Sequence, residues 1–316
     1  MSKPCYLGLD TSNYTTSLAF CDENGEIVAN LKQPLEVKAG ERGLRQSDAV
    51  FLHIRNLPVL FERAKDLFRE YSPIAIGVSA YPRTVEGSYM PCFLSGKSAA
   101  YAMGAALGVP VYEFSHQNGH VTAALYSSGA PEETYDSEFL AFHVSGGTTE
   151  ALLVKPNDGD FLCELIGGTL DMNAGQAIDR VGVAMGLAFP CGPEMERLAL
   201  TLGNKKAKGI HVSVKDGKCN LSGLENKAIQ LYEQTGSREE TARFVLDFIA
   251  ETLARITADV RTAHPELPVV YSGGVMSCSL IQKRLAGENT YFAEPQFSAD
   301  NAAGIALLAR RRHMSK

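Results

Sequence analysis

His116 and His120 stand four residues apart in SHQNGHVTAAL. On a helix this spacing puts both imidazoles on one face, where neutral ring nitrogens can ligate a single cation. It equally describes two half-exposed polar residues at a helix start, with Ser115 as the cap. A metal needs more ligands. Asp300, in SADNAAG, offers a carboxylate, though Asp there also serves as a helix N-cap. A mixed histidine and carboxylate set suits zinc or iron. Three glycine turns offer a second chemistry. Ser145-Gly146-Gly147, followed by Thr148-Thr149, allows backbone N–H groups close approach to an anion, with hydroxyl donors beside them. Ser272-Gly273-Gly274 lies between an apolar strand and a helix, a place suited to ribose or phosphate contact, or to a glycine-eased packing turn. Gly192, in Phe189-Pro190-Cys191-Gly192-Pro193, lets a ligand ring approach the backbone of a rigid loop.

The elements that must position these groups form a repeat. Residues 5–33 read as three strands, CYLGLD, TSLAF and EIVANLKQ, with the turn TSNYT and an Asn24-Gly25 hairpin between them. Residues 139–168 repeat this order as FLAFHV, TEALLV and DFLCELIGG, with the turn SGGT and an Asp158-Gly159 hairpin. Thr15-Thr16 precedes Thr148-Thr149 by 133 residues, and Ser12 precedes Ser145 by the same offset. After the first copy come a helix over 50–69 interrupted at Pro58, a strand over 74–79, a helix over 95–107, a strand over 110–113 and a helix from about 116. After the second come helices over 174–186 and 194–202, a long amphipathic helix over 237–264, a strand over 267–271 and helices near 279 and 301. The expected fold is therefore α/β, with two duplicated subdomains, 1–133 and 134–316, each a mixed sheet flanked by helices. The last helix is expected to pack back on the first subdomain. Two facing copies would turn both strand-to-strand loops into one cleft, the arrangement of the actin-like ATPase fold.

Composition narrows the class. A 45% apolar, 21% charged chain of 316 residues is of globular type and long enough for two cores. No apolar run has the length of a membrane helix, and the N-terminus lacks a signal-peptide pattern, so a cytoplasmic protein with no membrane partner is expected. Seven cysteines without a CxxC suggest neither a disulfide framework nor a thiolate zinc site. A net charge of −6 argues against a chain-wide nucleic-acid surface, leaving local basic spots at Lys205-Lys206-Ala207-Lys208 and Arg310-Arg311-Arg312.

Taken in order, the segments resemble the TsaD family, the glycoprotease-like tRNA threonylcarbamoyladenosine synthases, over nearly the whole chain. YLGLDTSNYTTSLAF resembles its N-terminal strand pair, SHQNGHVTAAL its HxxxH helix and HVSGGTTE its nucleotide loop. GGTLDMNAGQAIDRVGVAMGLAFPCGP, NLSGLENKA, YSGGVMSCSLIQKRL and ADNAAGIALLA resemble its later motifs. The resemblance implies transfer of a threonylcarbamoyl group from threonylcarbamoyl-adenylate to the tRNA adenosine beside the anticodon. It implies one divalent metal on His116, His120 and Asp300, and ATP or the adenylate on His143, Val144, Ser145, Gly146 and Gly147. Asp179 and Gly192 match positions near its ribose and base, and Gly273, Gly274 and Cys278 fall in the second glycine motif. A short metal-free paralogue and a small ATPase helper are the implied protein partners, besides tRNA.

The chain departs from the family at defined places. Tyr14 and Thr15 replace an acidic pair, Thr148 a histidine, Gln176 a glutamate and Cys278 an asparagine. Tyr81-Pro82-Arg83 stands for a GPG turn, and Ser47 for a glutamate. Asp10, taken as the catalytic candidate, and Asp171 remain as acids. Two readings follow: a metal-dependent transferase acting on tRNA, or a divergent paralogue that binds nucleotide and metal but is regulatory or serves another acceptor. A peptidase follows only from the older family name, since no HExxH motif is present.

Overall fold

The computed structural model describes residues 2–12, 14–36, 44–299 and 302–316. In chain order its elements begin with strands β1 (Lys3–Asp10), β2 (Thr15–Asp22) and β3 (Ile27–Pro34), then helices α1 (Gln46–Arg63) and α2 (Lys65–Glu70). Strand β4 (Tyr71–Tyr81), helix α3 (Phe93–Leu107), strand β5 (Val111–Ser115) and helix α4 (His116–Ser127) follow. The second copy opens with β6 (Phe139–Val144), β7 (Thr149–Asn157) and β8 (Asp160–Thr169), then α5 (Ala174–Ala184), α6 (Gly192–Leu200) and the short strands β9 (Val214–Lys215) and β10 (Lys218–Cys219). It ends with α7 (Ser222–Thr235), α8 (Arg238–Ala263), β11 (Val269–Ser272), α9 (Ser279–Leu285), β12 (Thr290–Phe292), α10 (Pro295–Ser298) and α11 (Ala303–Met314).

The duplication is visible in the strand order. One sheet runs β3-β2-β1-β4-β5; the other contains β8-β7-β6-β11-β12, the same order, extended beyond β8 by β10 and β9. In each copy the first strand pairs antiparallel with the second and parallel with the strand that follows the helices. The chain forms two compact units. The first comprises 1–126, 155–163 and 297–316; the second comprises 127–154 and 164–296. The sequence boundary at 133/134 thus differs from the compact units in three places, the first being that the division falls after residue 126. The hairpin tip between β7 and β8 and the whole of α11 group with the first unit.

In the first unit β1 is buried on both faces from Cys5 to Asp10, as a central strand of a covered sheet should be. Strand alternation sorts its contacts. Cys5, Leu7 and Leu9 pack with Leu57 and Leu60 of α1 and Ala100 of α3. Gly8 points the other way, to α11. A Cβ on Gly77 of β4 would lie 2.6 Å from the Ile305 carbonyl oxygen, and one on Gly8 would run into the backbone of Ala302 and Ala306. Helix α11 therefore rests directly on the strands, and its Ala303 to Ala309 are all buried.

Helix α1 corrects the expected break at Pro58, which lies inside a continuous helix. Pro58 removes one N–H, but it and Ile54, whose carbonyl loses that donor, both sit on the exposed face where water replaces the bond. The axis breaks instead at Ala64. In the second unit, α8 buries Phe244, Val245, Phe248, Ile249, Leu253 and Ile256, the stripe read from sequence, and starts at Ser237, whose Oγ accepts the Glu240 N–H at 3.2 Å. No helix is long and apolar enough to cross a membrane among the described residues.

A Gly77→Ala substitution should cost about 1–3 kcal/mol of stability, the usual range for overpacking, because backbone rather than a movable side chain blocks the methyl. Denaturant unfolding should show the loss, and Gly223→Ala, with nothing within 4 Å of its Cβ position and no left-handed backbone to strain, provides the control for added bulk.

Candidate functional site

Two groups of residues take shape, one in each unit. In the first unit β5 leads straight into α4, so His116 is the first helical residue. Ser115 Oγ accepts the Asn118 N–H at 3.0 Å and caps the helix. Asp10 ends β1, is 1% exposed, and its Oδ2 lies 2.8 Å from His116 Nδ1. Its Oδ1 accepts the Ser12 N–H at 2.7 Å. With Nδ1–H donated to Asp10, Nε2 of a neutral His116 carries the lone pair. That atom lies 3.0 Å from His120 Nε2. The Phe93 ring meets His116 edge-on, with centroids 6.2 Å apart. The i,i+4 spacing thus brings the two imidazoles together as expected, and Asp10 is placed as the group that orients one of them.

Helix α4 is positioned from two sides. Gly119, one residue before His120, faces the start of α11: a Cβ there would lie 2.8 Å from Ile305 Cδ1, and one on Gly304 would strike the Gly119 carbonyl. Buried Asn118 donates through Nδ2 to Asp160 Oδ1 and to the Phe161 carbonyl, each at 2.8 Å, and accepts the Cys163 thiol. Burial raises the Asp160 carboxyl above its ordinary range, against the opposing Phe161 N–H, Asn118 amide and Arg312 guanidinium. Asp300 lies outside the described residues. Among the described residues no group of three or more His, Cys, Asp and Glu side chains is arranged to hold a metal. The two Nε2 atoms, with a carboxylate on the far ring nitrogen, have the chemistry of a pair of metal ligands and their supporting carboxylate.

In the second unit β6 and β11 run side by side, so their C-terminal loops meet. Gly273, at φ 98°, lies against the backbone of Val144, and a Cβ there would sit 2.6 Å from the Val144 carbonyl carbon. The Ser272 hydroxyl donates to the Phe142 carbonyl at 3.0 Å, so its oxygen receives the His143 Nδ1–H at 3.2 Å. This sets the tautomer and makes Nε2 the acceptor of the ring. Ser145 Oγ accepts the N–H groups of Gly147 and Thr148, at 3.3 and 3.1 Å. Helix α5 begins under this loop: the Gly175 N–H reaches the Ser145 carbonyl at 3.1 Å, and a Cβ on Gly175 would lie 2.6 Å from the Gly146 nitrogen. Gly146, Gly147 and Gly274 have open space at their α-carbons. Two glycine loops, a helix start and an imidazole are therefore gathered in one place.

The remaining residues fall elsewhere. Asp179 Oδ1 accepts the Cys191 N–H at 2.8 Å and so holds the chain entering α6, whose first residue, Gly192, is open at its α-carbon. Cys278 is not on an open loop. It is 7% exposed within the core of the second unit, and burial pushes its thiol up to about 11. Burial likewise raises Cys5, Cys21 and Cys163 to about 12, and all seven cysteines are unpaired by disulfides, so none of these four presents a thiolate. Asp171 is also not an acid in waiting. Partial burial works against ionisation, yet the Ser222 hydroxyl and the N–H groups of Leu221, Met172 and Ser222 hold its carboxyl down at about 2. It caps α7 from 51 residues earlier.

Over residues 75–307 the chain matches the profile of TsaD, tRNA N6-adenosine threonylcarbamoyltransferase. The chain belongs to this family. The threonylcarbamoyltransferase of one Thermus thermophilus strain is 32% identical over 315 residues, covering 97% of this chain and 92% of the relative. Its counterpart in a second strain of the same organism is also 32% identical, covering 97% of this chain and 91% of the relative. Among solved structures, Thermococcus kodakarensis HypF superposes at TM-score 0.62 and 12% identity, over 99% of this chain and 48% of that one. A ROK family glucokinase from Streptomyces griseus superposes at 0.54 and 14% identity, over 97% and 99%. These likenesses establish the actin-like ATPase fold expected from the repeat. The family match includes His116, His120 and both glycine loops of the second unit.

The Asp171 cap gives a pH-dependent prediction. A carboxyl held below its ordinary value near 4 stabilises the fold above that pH, and the contribution disappears as the pH falls through about 2. Asp171→Asn should lose about 1 kcal/mol at neutral pH, as for a lost helix cap. The gap from the parent should close toward pH 2 in denaturant titrations.

Proposed function

We propose that this chain transfers a threonylcarbamoyl group from threonylcarbamoyl-adenylate to the tRNA adenosine beside the anticodon, using one divalent metal. The observation that carries this reading is the imidazole pair, with Nε2 atoms 3.0 Å apart and Asp10 fixing the His116 ring. A family relative that had abandoned the metal would have no use for a buried carboxylate on the back of one histidine. His116 and His120, with Asp300, would hold the metal, zinc or iron. When bound it would act as a Lewis acid that polarises the carbonyl under attack. The protein's own part is positional. Asp10 keeps the Nδ1 proton of His116 in place, so that Nε2 presents its lone pair. His143, through the Ser272 hydroxyl, keeps its ring oriented beside the glycine loop. The backbone of Ser145, Gly146, Gly147, Gly273 and Gly274 would receive ATP or the adenylate, with Gly192 leaving room for its ring. Asp179 would serve by holding the chain that carries Gly192.

The partners follow from the same reading: the adenylate, tRNA, a short metal-free paralogue and a small ATPase helper, in the cytoplasm. A second reading has its own support. Cys278, in the core, offers no amide to a nucleotide, and Tyr14, 47% exposed, replaces an acid. On that reading the chain binds nucleotide and metal but regulates, or serves another acceptor.

Metal analysis of the purified protein should find about one zinc or iron per chain, and His116→Ala/His120→Ala should carry almost none. Equal, negligible metal in both would reject the site. Asp10→Asn should bind metal about 10–100-fold more weakly while folding normally, the usual effect of removing such a carboxylate. Expression in cells depleted of their own threonylcarbamoyltransferase separates the readings. The transferase restores modified adenosine in tRNA, whereas soluble protein without modification leaves the second reading.

A further inference from the structure

We propose that the loop 203–208, with the cavity beneath it in the second unit, is a docking surface for the phosphate backbone of an RNA. The inference rests on the reading that tRNA is the acceptor. The chain as a whole carries a net charge of −6, yet Lys205, Lys206 and Lys208 fall within four residues. A lysine run on a surface is ordinarily only solvated charge. This one is built. Arg243 of α8, 6% exposed, donates from Nη1 to the Gly203 carbonyl at 2.9 Å and from Nε to Asp247 Oδ2 at 2.8 Å. The same Asp247 oxygen accepts the Ala207 N–H at 2.8 Å. One ion pair within the fold thus holds the backbone of the loop that carries the lysine array at Gly203 and Ala207.

The array lines a cavity of about 280 Å³ whose apolar wall includes Leu231 and Phe244. Lys205 is matched by Glu240 at 3.1 Å. Lys206 and Lys208 are exposed and have no carboxylate partner among the described residues. Charges spread along a loop whose backbone is held, with two left unmatched, suit successive phosphates of a polyanion. Such contacts set the register of the RNA on the protein and do not read its sequence. They would also give an acidic chain a local hold on an acidic substrate, which its net charge would otherwise repel.

The test measures binding of unmodified tRNA transcript across a range of salt, for the parent and for Lys206→Gln/Lys208→Gln. Thermal unfolding of both checks that the fold is intact. The variant should bind about tenfold more weakly near 0.15 M salt, with a log–log salt slope shallower by about two. Equal affinity and slope would overturn the inference and leave the acceptor reading intact. Thermal stabilisation by millimolar inorganic phosphate that the variant loses, with tRNA binding unchanged, would overturn it in favour of a small-anion site. A parent that binds no tRNA would overturn the acceptor reading and this inference together.

Discussion

Direct contact of backbone on backbone governs the first unit. Helix α11 lies where β1, β4 and α4 each present a glycine, at Gly8, Gly77 and Gly119, and it answers with Gly304. At these glycines peptide atoms and a few side-chain carbons of α11 already fill the space a further Cβ would take. The distance is therefore set by the hard radii of peptide atoms, which yield far less than a rotamer does. Helix α4 gains its position from this contact, and the histidines gain theirs from α4. Asp10 belongs to the same arrangement, since it ends the strand on which α11 rests. The first unit thus ties the placement of two imidazoles and a carboxylate to its most rigid packing.

The second unit works by different means. Its loops are joined by hydrogen bonds through hydroxyls: Ser272 between His143 and Phe142, Ser145 across its own turn, and Thr149 to the first turn of α5 at 2.9 Å. Its carboxylates are spent on backbone N–H groups. Asp171 caps α7, Asp179 holds the entry to α6, Asp247 holds the lysine loop, and Asp259 accepts the Gly217 N–H. Acids that look catalytic in sequence are engaged in fixing irregular chain, where no strand or helix supplies the partners.

That difference explains what sequence can reveal. The three-strand repeat is legible because Asn24-Gly25 and Asp158-Gly159 punctuate it and because alternation reports burial. The HxxxH pair is legible because both residues lie on one helix. Helix α7 and the small hairpin β9–β10 are not. The cap of α7 comes from Asp171, far back in the chain, and β10 is a strand only because β8 is there to pair with it. The break in α1 is misplaced from sequence because Pro58 looks the same on a wet face or a dry one. The motif around Cys278 suggests a ligand contact, but its burial depends on packing that the motif does not encode. The loop at 203–208 shows its charge in sequence and its rigidity only with Arg243 and Asp247 beside it.

The first unit is made from three separated stretches, and the last of them, 297–316, carries the helix on which its sheet closes. The residues of the second unit fall wholly between those stretches. During synthesis the ribosome therefore delivers all of the second unit before the first can finish. Strands β1 to β5 must wait with one face uncovered for nearly two hundred residues, until α11 emerges to seal it. A chain with this connectivity completes its first unit last, and for that interval its open sheet face is the surface most in need of protection from other chains.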